Sequence, residues 1–185
     1  MSIILSELPL LNFKNQLTDK VIDLEKLTGS KTNEGETWVY FPPADYKDLP
    51  LEHKDQLFYL DKESTDIVYK TADTYNVICG DDGWGNKPFS GGCYKNVERI
   101  ERWASEEALK KWMYKCGVPF KSEVLLLPVF APKDQPMLQT TWKMAVKYAE
   151  IFFSYDNLII LDPKLKWCLY YHHDDVLYFA EGRTY

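Results

Sequence analysis

The spacing of apolar side chains separates a strongly patterned C-terminal third from a less regular N-terminal half. Between Gln139 and Ser154, Trp142, Ala145, Val146, Ala149, Phe152 and Phe153 recur at intervals of three and four, with Lys143, Lys147 and Glu150 opposite. That period predicts one long amphipathic helix. Three short runs follow: Leu158 to Leu161, Trp167 to His172 and Val176 to Ala180. Asp162-Pro163 and His173-Asp174-Asp175 separate them as turns. In the second run Trp167, Leu169 and Tyr171 share one face, and Cys168, Tyr170 and His172 share the other. The three runs predict an antiparallel meander packed on the helix.

The middle of the chain carries one further clear helix. Ser105 is a good N-cap, and Glu106 and Glu107 suit the positive end of the helix dipole. Leu109, Trp112, Met113 and Cys116 form its apolar stripe, with Lys110, Lys111 and Lys115 facing away. Gly117 can supply the left-handed residue beyond the C-cap, and Pro119 prevents continuation. Val124 to Leu127 is continuously apolar, which predicts a strand covered on both faces and stopping at Pro128.

Upstream the pattern is weaker. Val21, Leu24 and Leu27 suggest a helical stripe ending near Gly29. Thr37 to Phe41 reads as a short strand halted by Pro42-Pro43. Residues 51 to 72 read as two helical pieces: one with Leu57 and Leu60, and one starting near Asp61 with Ile67 and Val68 inward. Thr74 to Cys79 reads as a strand, and Gly80 to Asn86 as a turn-rich loop. The expectation is a single α+β domain over 1–185, with an antiparallel C-terminal β-meander on amphipathic helices. Its core should include Trp112, Trp142, Val146, Phe152, Leu158, Ile160, Trp167 and Leu169.

Composition refines this picture. A chain of 185 residues buries about 70% of its unfolded surface and needs no disulfide or metal to hold it. Six Trp, thirteen Tyr and nine Phe supply a thick core and material for a contact surface. The net charge of -6 is concentrated. Glu34, Glu36, Asp45, Asp48, Glu52, Asp55, Asp61, Glu63 and Asp66 are opposed within their segment by Lys47, Lys54 and Lys62 alone. That one segment therefore holds the whole excess. Such a field argues against nucleic acid, which requires a basic footprint. It suits a basic protein partner.

No window approaches 18 uninterrupted apolar residues, so no membrane span is expected. The start, MSIILSELPLLNF, has no positive region and is interrupted by Glu7, a poor signal peptide. Both readings point to a reduced, cytoplasmic protein. Cys79, Cys93, Cys116 and Cys168 contain no C-x-x-C pair, which excludes a zinc knuckle. Cys79 and Cys168 read as small buried apolar residues.

Candidate chemistry is sparse. His172-His173-Asp174-Asp175 is the one dense polar cluster, and both side-chain types bind divalent metals. Consecutive strand residues point to opposite faces, so the two imidazoles share an ion only if the turn bends them together. Cys168 and His172 lie about 13 Å apart along one strand face, too far for proton transfer. Asp81 to Asn86 fails as a calcium loop, because its twelfth position, Gly92, is not Glu. Ser90-Gly91-Gly92 has no phosphate-binding lysine beside it. No nucleophile elbow occurs. No enzyme activity, metal or cofactor is therefore expected. A metal-dependent hydrolase using His172 to Asp175 is the least favoured alternative.

The segments SEEALKKWMYKCGVPF, TTWKMAVKYAEIFF and DNLIILDPKLKWCLYYHHDDVLYFAEG resemble pieces of small acidic bacterial immunity proteins of contact-dependent or polymorphic toxin systems. The resemblance covers about residues 105 to 181 and brings over no functional residue. It implies a role in binding one cognate toxin domain and occluding its active site. The charge distribution places the docking segment between Glu34 and Asp66, beside the strand Thr37 to Phe41. Glu36, Asp45, Asp48, Glu52 and Asp55 would mimic the phosphates that a basic nuclease binds, with Trp38 and Tyr46 as aromatic anchors. The alternative is an intracellular protein-binding domain with a different partner.

Overall fold

The computed structural model describes residues 22–31, 40–75, 77, 93–129, 135–154 and 157–183. Eight strands form one antiparallel sheet: β1 (Gly29–Ser30), β2 (Phe58–Leu60), β3 (Tyr94–Glu101), β4 (Glu123–Pro128), β5 (Leu138–Thr141), β6 (Leu158–Leu161), β7 (Trp167–His172) and β8 (Val176–Arg183). Their order is β1-β2-β5-β4-β6-β7-β8-β3. The helices are α1 (Pro43–Asp48), α2 (Leu51–Lys54), α3 (Lys62–Thr74), α4 (Glu106–Lys115), α5 (Trp142–Lys147) and α6 (Ala149–Phe152). The protein is thus α+β, as the pattern predicts, and the C-terminal meander is present as β6-β7-β8.

Both faces of the central sheet are covered. On one, Val124, Leu126, Leu158, Ile160, Leu169 and Phe179 pack with Leu109 and Met113 of α4, Trp142 and Val146 of α5, and Phe152 of α6. On the other, Leu125, Leu127, Ile159, Leu161, Cys168 and Ala180 pack with Val68 and Ala72 of α3 and with Ile22 and Leu27. A strand buried on both sides must be apolar at every position, which explains the uninterrupted run in β4. Trp167, Leu169 and Tyr171 do share one layer, and Cys168 and Tyr170 the other. Every residue of the expected core is buried or packed against it.

Local signals set several boundaries. Ser105 accepts a hydrogen bond from the Ala108 amide at 3.2 Å and opens α4. Gly117 follows its C-cap with φ of 72°, where a side chain would be strained. Asp61 caps α3 by accepting from the Ser64 amide at 2.8 Å.

Six expectations are corrected. The helix predicted over 139–154 is divided: its first residues form β5, and Tyr148 separates α5 from α6. Thr140 and Thr141 suit an extended backbone, and β4 offers them a ladder through Val124 and Glu123. Thr141 then turns the chain by capping α5 at the Met144 amide. Leu57 and Leu60 are not helical. Leu60 ends β2, where Phe58 and Tyr59 pair with Gln139 and Leu138. Ile67 is 46% exposed while Val68 is fully buried, because adjacent helical positions point about 100° apart.

Thr74 closes α3 rather than opening a strand, and Tyr75 sits in a turn; Asn76, Ile78 and Cys79 lie outside the described residues. Tyr40 and Phe41 occupy a turn and a bend instead of a strand, with Thr37, Trp38 and Val39 outside the description. Leu24 belongs to a single 3-10 turn, Leu24–Lys26, and Val21 lies outside. The loops Gly80 to Asn86 and Ser90 to Gly92 lie outside too. Strand β3, with charged side chains along most of its length, has no counterpart in the sequence reading.

Candidate functional site

The acidic segment becomes a raised pair of short helices. Pro43 begins α1 and Pro50 precedes α2, so both starts use a residue whose missing amide costs nothing there. Phe41, Leu49 and Leu57 anchor the pair below. Phe41 meets Phe152 at 5.0 Å and Tyr148 edge-on at 5.3 Å. With the apolar residues facing down, Asp45, Asp48, Glu52 and Asp55 are all exposed. Glu36 and Trp38, the other members of the predicted set, lie outside the described residues.

Tyr46 is half-buried and is not a free anchor. Its ring packs on Phe41 and is covered by Lys54 Nζ at 5.1 Å. The same ammonium donates to the Lys47 carbonyl at 3.0 Å, so Lys54 is held against the helices. Lys31 approaches Asp55 at 3.9 Å. The residue missed by the sequence reading is Leu51. It is 77% exposed and sits between Asp48, Glu52 and Asp55. Its only signal is an apolar side chain placed directly after Pro50 amid acids.

His53 ties α2 to the helices below. Lys147 Nζ lies 3.2 Å from Nε2, and the Tyr148 hydroxyl lies 2.6 Å from Nδ1. A lysine ammonium can only donate, so Nε2 accepts and Nδ1 carries the proton given to Tyr148. Burial, then the nearby Glu52 carboxylate, pushes the Tyr148 phenol upward.

The β7–β8 turn forms a second cluster. His172 pairs with Val176 across the ladder, leaving His173, Asp174 and Asp175 as a three-residue loop. Asp175 takes the left-handed conformation, φ 59°, that such loops need at their last position. The expectation that the two imidazoles point apart is corrected here. Their rings stack with centroids 4.2 Å apart and planes 28° apart. Strand alternation ends at His172, so it does not govern His173.

Asn157, buried at the start of β6, fixes the second ring. Its Oδ1 accepts from the His173 amide at 2.7 Å and from His173 Nδ1 at 3.0 Å. The Asp174 amide donates to His172 Nδ1 at 3.2 Å. Asp174 then places one carboxylate oxygen 3.4 Å from His172 Nδ1 and the other 3.8 Å from His173 Nε2. The His172 pKa lies below the usual imidazole range. Burial is the first cause and the adjacent His173 the second, with Asp174 opposing them.

The thiols offer no comparable chemistry. Cys168 is fully buried between β6 and β8. Burial, with Glu98 as a smaller cause, pushes Cys116 up to about 12. Thiolate is the nucleophilic form, so Cys116 is inert at neutral pH. A groove of about 370 Å³ lies between Ile22–Glu25, Ser122-Glu123 and Asp162–Lys164. Asp23, Glu25, Glu123, Asp162 and Lys164 line it, four carboxylates and one ammonium with no imidazole or thiol. Among the described residues no helix is long and apolar enough to cross a membrane. No family model, curated protein or solved structure matches the chain.

Proposed function

We propose that this protein is an immunity-type binding module. It acts in the cytoplasm, docks a basic toxin domain on the α1–α2 face, and occludes that domain's active site. The observation that carries the reading is the exposure of Asp45, Asp48, Glu52, Asp55 and Leu51 on one short two-helix segment. Phe41, Leu49 and Leu57 hold the two helices rigidly from beneath. An apolar centre ringed by charge is the usual anatomy of a protein interface. On this proposal the acids take the place of the phosphates of a nuclease's substrate, and a nuclease cleft is the partner. In this reading the chain needs no catalytic group, metal or cofactor to act.

Leu51 replaces Tyr46 as the anchor of choice. Tyr46 is already committed to Phe41 and Lys54. The surrounding charges set encounter rate and salt dependence, whereas a charge pair that becomes fully desolvated costs about 2–5 kcal/mol when one side is removed.

The experiment uses the product of the adjacent gene as the candidate partner, first by co-purification and then by affinity measurement. Asp45, Asp48, Glu52 and Asp55 are reversed together to Lys, and binding is measured across ionic strengths. Weaker binding and a flattened salt dependence are expected. Unchanged affinity with an unchanged salt slope would place the interface elsewhere and end the proposal.

A further inference from the structure

We propose that the β7–β8 turn binds a first-row transition-metal dication, best matched by Zn²⁺. The ligands are His172 Nδ1, His173 Nε2 and the Asp174 carboxylate. The site is separate from the α1–α2 face and does not depend on the reading of that face.

The hydrogen bonds around the turn set both imidazoles in the metal-ready form. Asn157 Oδ1 also accepts from the His173 backbone amide, so it is the oxygen, and His173 Nδ1 must donate to it. That leaves Nε2 of His173 with its lone pair free of a proton. A metal-bound histidine is typically oriented in this way, by a partner that takes the N–H of its other nitrogen. At His172 the Asp174 amide can only donate, so Nδ1 is the unprotonated nitrogen there, and a metal would displace that amide from its lone pair.

One ligand atom from each of His172, His173 and Asp174 lies within 4.8 Å of the other two. Three acceptors at that separation repel one another, and one shared cation relieves all three contacts.

The spacing selects the kind of cation. Zinc–ligand bonds of about 2.0–2.1 Å at tetrahedral angles put ligand atoms about 3.3 Å apart. The separations of 3.4 Å and 3.8 Å to Asp174 are close to that value. The remaining gap closes by rotation of the exposed Asp174 carboxylate, while His172 is held in the sheet and His173 by Asn157. Calcium and magnesium prefer all-oxygen shells, and imidazole favours the later transition metals. Three protein ligands leave a fourth position to water.

The test uses the full chain carrying no polyhistidine tag, stripped with a chelator and titrated with Zn²⁺ in competition with a chromophoric indicator. One Zn²⁺ per chain is expected. His173→Ala and Asp174→Ala should each weaken binding by about tenfold or more. Asp175→Asn should leave it unchanged, because Asp175 faces Tyr171 instead. Circular dichroism of each metal-free variant confirms that the fold is kept. Imidazole nitrogen spectra supply a second readout: Zn²⁺ should move His172 Nδ1 and His173 Nε2 and leave His53 unaffected.

Any of four results overturns the proposal. One is the absence of saturable one-to-one binding. The second is an affinity indifferent to His173→Ala. The third is equal loss in Asp175→Asn, which would mean diffuse attraction to the acidic loop. The fourth is equal competition by Mg²⁺.

Discussion

Trp142 is the most stringent test of the packing. It is the first residue of α5 and is fully buried. Its ring meets Trp167 edge-on at 5.3 Å. A tryptophan buries about 200 Å², which at about 25 cal/mol per Å² corresponds to about 5 kcal/mol, of which alanine retains roughly one fifth. The edge-on contact adds about 1 kcal/mol. One quantity runs the other way. The indole N–H is buried without a hydrogen-bond partner among the described residues, a penalty of about 1–3 kcal/mol that disappears with the ring.

The balance predicts that Trp142→Ala costs about 2–4 kcal/mol and lowers the melting temperature by roughly 10 °C. Trp142→Phe should cost less than about 1.5 kcal/mol, because it keeps most of the apolar volume and loses the unpaired donor. Urea unfolding followed by far-ultraviolet circular dichroism measures both. An alanine variant within about 1 kcal/mol of the parent, or a phenylalanine variant as damaged as the alanine one, would refute the placement.

Three further outcomes follow from single side chains. The Tyr40 hydroxyl is buried between the Leu126 and Pro136 carbonyls, at 3.0 Å and 2.9 Å. Tyr40→Phe should therefore cost about 1–3 kcal/mol in the same assay, and no loss would mean the hydroxyl is not bonded as described. Asp61 is held below the usual carboxylate range by the Thr28 hydroxyl first and the Ser64 amide second. Its contribution is complete above the ordinary value of 3.8 and is lost as pH falls through the lower folded value. Asp61→Asn should thus flatten the acid limb of the stability profile, and an unaltered limb would contradict the cap. Cys116 should resist a neutral-pH thiol reagent in the native chain and react on unfolding; prompt native labelling at Cys116 would show the thiol to be exposed.

How far the chain could be read from its sequence depends on where each element's information resides. Helix α4 was legible because its stripe, its Ser105 cap and its Gly117 stop all lie within one short segment. β6, β7 and β8 were legible because turn residues bound each one. Strands β2 and β5 were not. They are three and four residues long, and their extended state is supplied by neighbours distant in sequence, as when Thr140 pairs with Val124.

β3 escaped notice because Lys95, Asn96, Glu98, Arg99 and Glu101 remove any apolar alternation. A strand at the end of a sheet can carry charge at nearly every position. For the candidate sites, counting charges located the acids but carried no information on whether the apolar Leu51 among them is exposed. The converging histidines depended on the conformation of Asp175, which strand periodicity does not encode.

The position of β3 at the end of the sheet also sets an order of assembly during synthesis. Among the described residues its one strand neighbour is β8, with Tyr94 opposite Arg183 and Glu101 opposite Val176. A ribosome therefore delivers β3 long before the strand that completes its hydrogen bonds exists. At about 5–20 residues per second, β3 waits several seconds with its backbone groups unpaired. A polar, charged strand tolerates that wait in water where an apolar one would aggregate. The charges that hid β3 from pattern reading are thus the ones that keep the nascent chain soluble until β8 emerges.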